Sequence, residues 1–123
     1  MKKMRTVSKP WGKEEIWAET SKYAGKFLYI NPHQSLSRQY HETKEETICV
    51  LQGVLRLEVG APNDSKFAIC HLEEGQYFHI KPGTIHRFCA DEISVKLVEV
   101  STPELNDVVR LEDMYNRWLN DIL

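Results

Sequence analysis

Apolar residues recur along the middle of the chain in short runs, alternating with polar ones. In VLRLEV, Leu55, Leu57 and Val59 share one parity, while Arg56 and Glu58 take the other. That is the pattern of a strand with one face in a core and one in water. KFLYI ends at Asn31-Pro32, TICVLQ at Gly53, KFAICHL at Glu73 to Gly75, and QYFHI at Lys81 to Gly83; IHRFCA and SVKLVEV are divided by Asp91-Glu92. Strands spaced roughly eight to twelve residues apart, with turn residues between, predict an all-β sandwich or barrel, here over about residues 26–101. The tight link at Gly53 predicts a hairpin between TICVLQ and VLRLEV. Near the start, KPWG reads as a turn anchored by Trp11, and EEIWAET as an edge strand. After Pro103 the period changes. Val108, Leu111, Met114, Tyr115, Trp118, Leu119 and Ile122 fall at helical spacing, which predicts a C-terminal helix over about residues 103–122, with Thr102 and Pro103 as cap and first turn.

With 123 residues the chain fits one compact domain, 1–123. A net charge of −2 offers no basic field for nucleic acid. The opening MKKMRTVSKPWGKEE lacks the apolar stretch of a signal peptide, and no apolar run approaches membrane-spanning length. A cytoplasmic protein without a membrane partner is the expectation. Cys49, Cys70 and Cys89 each lie in strand-like apolar sequence, and no CxxC pair is present. They are expected to be reduced, buried thiols without a chemical role.

The chemistry concentrates in SRQYHETKEETICVLQG and GQYFHIKPGTIHR. Gln39 and His41 share a parity, as do Glu46, Ile48 and Val50, and as do His86 and Phe88. On strands, Glu46 and His86 would face the core, and Gln39 and His41 would point to the same side as each other. A buried carboxylate is unfavourable unless it is paired or binds a cation. Two imidazoles, a carboxylate and an amide oxygen would hold a divalent ion with positions left open. The plainer alternatives are an ion pair between Glu46 and Lys44 and a hydrogen-bonded core histidine at His86.

Joined, the two stretches resemble the paired cupin motifs, H-x-H…E…G and G…P-x-G-x-x-H. Gln39 stands in place of the first histidine, and Lys81 in place of a proline. KPWG, SLSRQYH, GTIHR and DVVRLEDMYNR further resemble the isomerase domain of the type II phosphomannose isomerases, over about Lys9 to Arg117. Lys9 and Asn116 depart from that family's arginine and glycine, and Lys44 from its arginine. The nucleotide-binding half often fused to such domains is not in this sequence, so synthesis of GDP-mannose by this chain is not expected.

The resemblance implies a cupin double-stranded β-helix, a jelly-roll-like barrel, as a homodimer. It implies interconversion of mannose 6-phosphate and fructose 6-phosphate through an enediol. Gln39, His41, Glu46 and His86 would hold the metal, with zinc the first choice and manganese, cobalt, nickel or iron also fitting. Lys44 and Arg87 are the expected catalytic and phosphate-facing cations; Arg110, Arg117 and Trp11 are expected at the substrate, although both arginines could instead pair with Asp107 and Asp113 at helical spacing. The general base stays open among Lys44, Glu45 and His79. Two rivals remain: a non-catalytic cupin that binds a sugar phosphate or metal, and a non-haem iron oxygenase using two histidines and a carboxylate.

Overall fold

The computed structural model describes residues 1–60, 67–112 and 114–115. Eleven strands follow one another: β1 (Arg5–Lys9), β2 (Gly12–Glu19), β3 (Ala24–Ile30), β4 (Arg38–Tyr40), β5 (Glu46–Gln52), β6 (Leu55–Gly60), β7 (Ala68–Leu72), β8 (Tyr77–Ile80), β9 (Ile85–Cys89), β10 (Val95–Ser101) and β11 (Val109–Glu112). They form two antiparallel sheets, ordered β1-β2-β3-β10-β5-β8 and β11-β4-β9-β6-β7. The expected all-β architecture is therefore present, as a double-stranded β-helix.

Alternation explains how the sheets meet. Ile48, Val50, Leu97 and Leu28 point inward from the first sheet, and Leu55, Leu57 and Phe88 from the second; each is at most 2 % exposed. Burying a side chain of this size contributes about 1.5–3 kcal/mol, so a slip of one residue in register would be heavily penalised. Pro10 and Trp11 turn β1 into β2, and Trp11 is buried in the core as its sequence context predicts.

Three expectations are corrected. β5 and β6 are not hairpin partners: β5 pairs with β10 and β8, and β6 with β7 and β9. Both strands carry apolar inner faces, and facing one another across the core buries both. Gly53 makes that passage at φ 82°, where an added Cβ would lie 2.4 Å from the Ser94 carbonyl oxygen. The EEIWAET segment is not an edge, since β2 lies between β1 and β3. The C-terminal helix is not found among the described residues. Val109–Glu112 is a strand on β4, because its partner's unpaired edge offers backbone hydrogen bonds that outweigh a four-residue helical spacing. Residues 103–108 of that expected helix are turns and irregular chain, and residues 113 and 116–122, Arg117 among them, lie outside the described residues. No helix among the described residues is long and apolar enough to cross a membrane.

Candidate metal centre

Glu46 opens β5 with its side chain inward, and His86 faces inward from β9 beside Val59 of β6. His41 follows β4 directly. One ligand atom from each of His41, Glu46 and His86 lies within 4.8 Å of the others, and all three residues are buried. Glu46 Oε1 stands 3.4 Å from His41 Nε2 and 3.3 Å from His86 Nε2.

The outer ring nitrogens decide what these atoms are. His41 Nδ1 donates to the Asp107 carbonyl oxygen, and His86 Nδ1 donates to that of Thr84 at 2.9 Å. Carbonyls only accept, so each neutral imidazole presents a bare Nε2 lone pair to the carboxylate. Three buried acceptors then converge, and none makes a hydrogen bond among the described residues. Such a cluster is repulsive unless a cation or an extra proton sits within it. The donor set fits a divalent ion of the zinc to iron range.

Behind the triad runs a row of alternating charges across the inner face of the first sheet. Lys44 Nζ lies 3.1 Å from Glu46 Oε2 and 3.2 Å from Glu99 Oε2. Lys26 Nζ lies 3.8 Å from the same Glu99 oxygen and 2.7 Å from Glu14 Oε2, and Lys9 Nζ is 3.7 Å from Glu14 Oε1. Three lysines and three glutamates balance, so an added metal would make the site cationic. Burial alone would raise Glu46, but when the extra proton sits on a histidine Nε2, hydrogen bonds from His41 and His86, and then the Lys44 charge, hold its carboxyl well below the usual range. Glu99 goes the other way: burial, then the nearby Glu46 carboxylate, push it up against the pull of Lys26 and Lys44. Burial opposes the Lys44 ammonium, yet Glu99 and Glu46 raise it above its ordinary value. The plain alternative of a Glu46–Lys44 pair is thus realised, but buried and alongside the histidines.

The candidate residues divide between two faces. Gln39 is the register partner of His86 and lines a pocket together with His41 and Glu46, with its Oε1 accepting from Ser37 Oγ at 2.7 Å. Arg110 is in turn the partner of Gln39 and lines the pocket with Trp11 and Lys44. Since β11 is a strand, the helical pairing of Arg110 with Asp107 does not arise; the Asp107 carboxylate instead accepts from the backbone N–H groups of Glu42, Thr43 and Lys44 at 2.7–3.0 Å. Arg87 lies on the other face of β9, where Nε donates to Glu58 Oε1 at 3.0 Å beside Arg38 and Arg56. The structure does not bring it to the triad. His79 and Glu45 pair with each other at the exposed outer surface, so of the three possible bases only Lys44 lines the pocket. Burial pushes the Cys89 thiol up to about 11, in keeping with an inert cysteine. Sequence reasoning missed Glu14, Lys26, Glu99 and Asp107; Glu99 shares the parity of buried Val95 and Leu97, which was the available signal.

The pocket encloses about 90 Å³, room for a few waters, and shares Lys9, Glu14, Lys26 and Leu105 with an adjoining cavity of about 460 Å³.

The family model described as mannose-6-phosphate isomerase C-terminal matches residues 1–113. The chain belongs to that family. It is 31% identical to the mannose-1-phosphate guanylyltransferase ManC of Salmonella typhimurium over 119 residues, covering 92% of this chain and 23% of the relative. The chain therefore spans about a quarter of that enzyme's length. Among solved structures, the capsular polysaccharide assembling protein CapF of Staphylococcus aureus superimposes with a TM-score of 0.79 at 15% identity, over 91% of this chain and 32% of CapF. A double-stranded β-helix protein from Klebsiella pneumoniae gives 0.68 at 20% identity, over 81% and 79%. At these identities the likeness is one of fold. This mannose-6-phosphate isomerase-like domain is a cupin, and its His-Glu-His cluster is able to hold a metal ion.

Proposed function

We propose that the domain is a metal-dependent sugar-phosphate isomerase that interconverts mannose 6-phosphate and fructose 6-phosphate. The observation that carries this reading is the convergence of three undonated acceptors, His41 Nε2, Glu46 Oε1 and His86 Nε2, the first two residues lining a pocket with Lys9, Lys26 and Arg110. Gln39 is the proposed fourth ligand. A bound divalent ion supplies a Lewis acid for the sugar's carbonyl oxygen, where charge develops as the enediol forms.

The chain's own groups do the rest. Trp11, Leu28, Leu36 and Phe88 line the pocket and exclude water from the reacting carbons. Arg87 faces outward, whereas Lys9 and Arg110 line the pocket and are the proposed contacts of the phosphate. A hexose phosphate exceeds the inner cavity, so its phosphate end is expected toward the wider one, on the side of Lys9. Lys44, charged and engaged, is a poor base; of the carboxylates lining the pocket, Glu46 faces the histidines and Glu99 holds Lys44, so Glu14 is the one proposed to take the proton.

The test is a coupled assay of fructose 6-phosphate formation with the metal-stripped protein reloaded with zinc, cobalt, manganese, nickel or ferrous iron. Turnover restored by at least one ion is expected. No turnover under any of them, with the ion shown to be bound, contradicts the reading. The same two histidines and carboxylate suit a non-haem iron oxygenase, which oxygen consumption by the iron-loaded protein would reveal.

A further inference from the structure

The two oxygens of Glu46 have different surroundings. Oε1 faces both bare histidine nitrogens, at 3.4 and 3.3 Å, whereas Oε2 meets the Lys44 ammonium at 3.1 Å. The ammonium is itself held, since Glu99 Oε2 lies 3.2 Å from it. Lys44 is 4 % exposed and Glu99 3 %, so the pair is shielded from bulk solvent. Resting on the metal-site reading above, we propose that Lys44 and Glu99 form a charge lever that restricts Glu46 to offering the cation one oxygen, weakening metal binding in exchange for open coordination positions and stronger Lewis acidity.

A carboxylate that chelates a cation needs both oxygens, and here one is engaged by a fixed positive charge. That charge also draws electron density from the carboxylate and opposes a second cation nearby. Glu99 works in the other direction, offsetting the Lys44 charge. Positions left free by a one-oxygen carboxylate suit the adjacent hydroxyl and carbonyl oxygens of an open-chain sugar. Lys44 and Glu99 are thus positioning residues, acting through Glu46.

The two members of the pair should therefore move metal affinity in opposite senses, which a merely structural ion pair would not do. Zinc dissociation constants are to be measured by competition with a chelator, and the coordination mode from the visible absorption of the cobalt-loaded protein. Lys44→Met should tighten zinc binding several-fold, up to about tenfold, and alter the cobalt spectrum; Glu99→Gln should weaken binding about tenfold. The double variant Lys44→Met/Glu99→Gln removes both charges and so avoids burying an uncompensated one. It should bind zinc close to wild type yet keep the altered cobalt spectrum. A wild-type cobalt spectrum in the double variant overturns the proposal, as does weakening of zinc binding by both single variants alike. Failure of the wild-type protein to bind either ion overturns the metal-site reading itself, and is recognisably a different result.

Discussion

Asp107 serves the site twice from a position that touches no metal-facing atom. Its carbonyl fixes the His41 ring, and its carboxylate gathers the backbone N–H groups of residues 42–44. Removing the side chain frees the loop that carries Lys44 and loosens the residue whose carbonyl sets the His41 tautomer. Asp107→Ala is expected to weaken zinc binding about tenfold and to lower the melting temperature. An unchanged zinc affinity by chelator competition would show that the His41 orientation does not depend on this anchor. Little of this was legible beforehand. Asp107 meets residues more than sixty positions away, and only its neighbourhood to Arg110 was visible in the sequence. The inward Glu46 and His86, by contrast, followed from sharing the parity of Ile48, Val50 and Phe88 on their strands, whereas His41, just past β4, was marked by the motif.

At the level of elements, the faces of two strands sort the arginines. Arg110 lies beside Gln39 and faces the pocket, while Arg87, though adjacent to His86 in sequence, lies on the opposite face with Glu58. Arg110→Ala should raise KM for mannose 6-phosphate about tenfold or more, as the loss of a charged contact to phosphate would. Arg87→Ala should leave KM and metal content as they are and lower the melting temperature, since Glu58 stays buried with one partner fewer. Equal effects of both on KM would mean that the face assignment is wrong. The same alternation that placed His86 inward placed Arg87 outward. Reading it as a site residue mistook neighbourhood along the chain for neighbourhood in space. The helix expected after Pro103 failed for a related reason: a few apolar residues fit either period, and the free edge of β4 decides for strand over Val109–Glu112. Likewise, no local feature distinguishes a hairpin at Gly53 from a passage between sheets; only the two apolar faces that must meet do so.

For the molecule as a whole, the inner face of the six-stranded sheet is apolar toward one end and a chain of charges toward the other. Three lysines alternate with three glutamates from Lys9 to Glu46. The acid limb of stability should report on it. Burial works against the Glu14 carboxylate, yet Lys26, and then Lys9 and Lys44, hold it below its ordinary value of 4.5. A group lowered on folding contributes stability that is complete above its unfolded value and is lost as pH falls toward the folded one. The melting temperature should therefore drop below about pH 4.5, and Glu14→Gln should show a smaller drop over that window. An identical acid limb in the variant would remove Glu14 from the account. Of this row, the sequence displayed only scattered surface-like charges, because their alignment arises from the register of β2, β3, β10 and β5.

The proposed chemistry requires a cation among His41, Glu46 and His86. The direct measurement is the metal content of the protein after equilibrium dialysis against a zinc-containing buffer, for the wild type and for His86→Ala. The account predicts about one ion per chain for the wild type, falling on acidification as the histidines protonate, and loss of that ion in the variant. A wild-type protein that binds no ion, or a His86→Ala protein that keeps full occupancy, would contradict it.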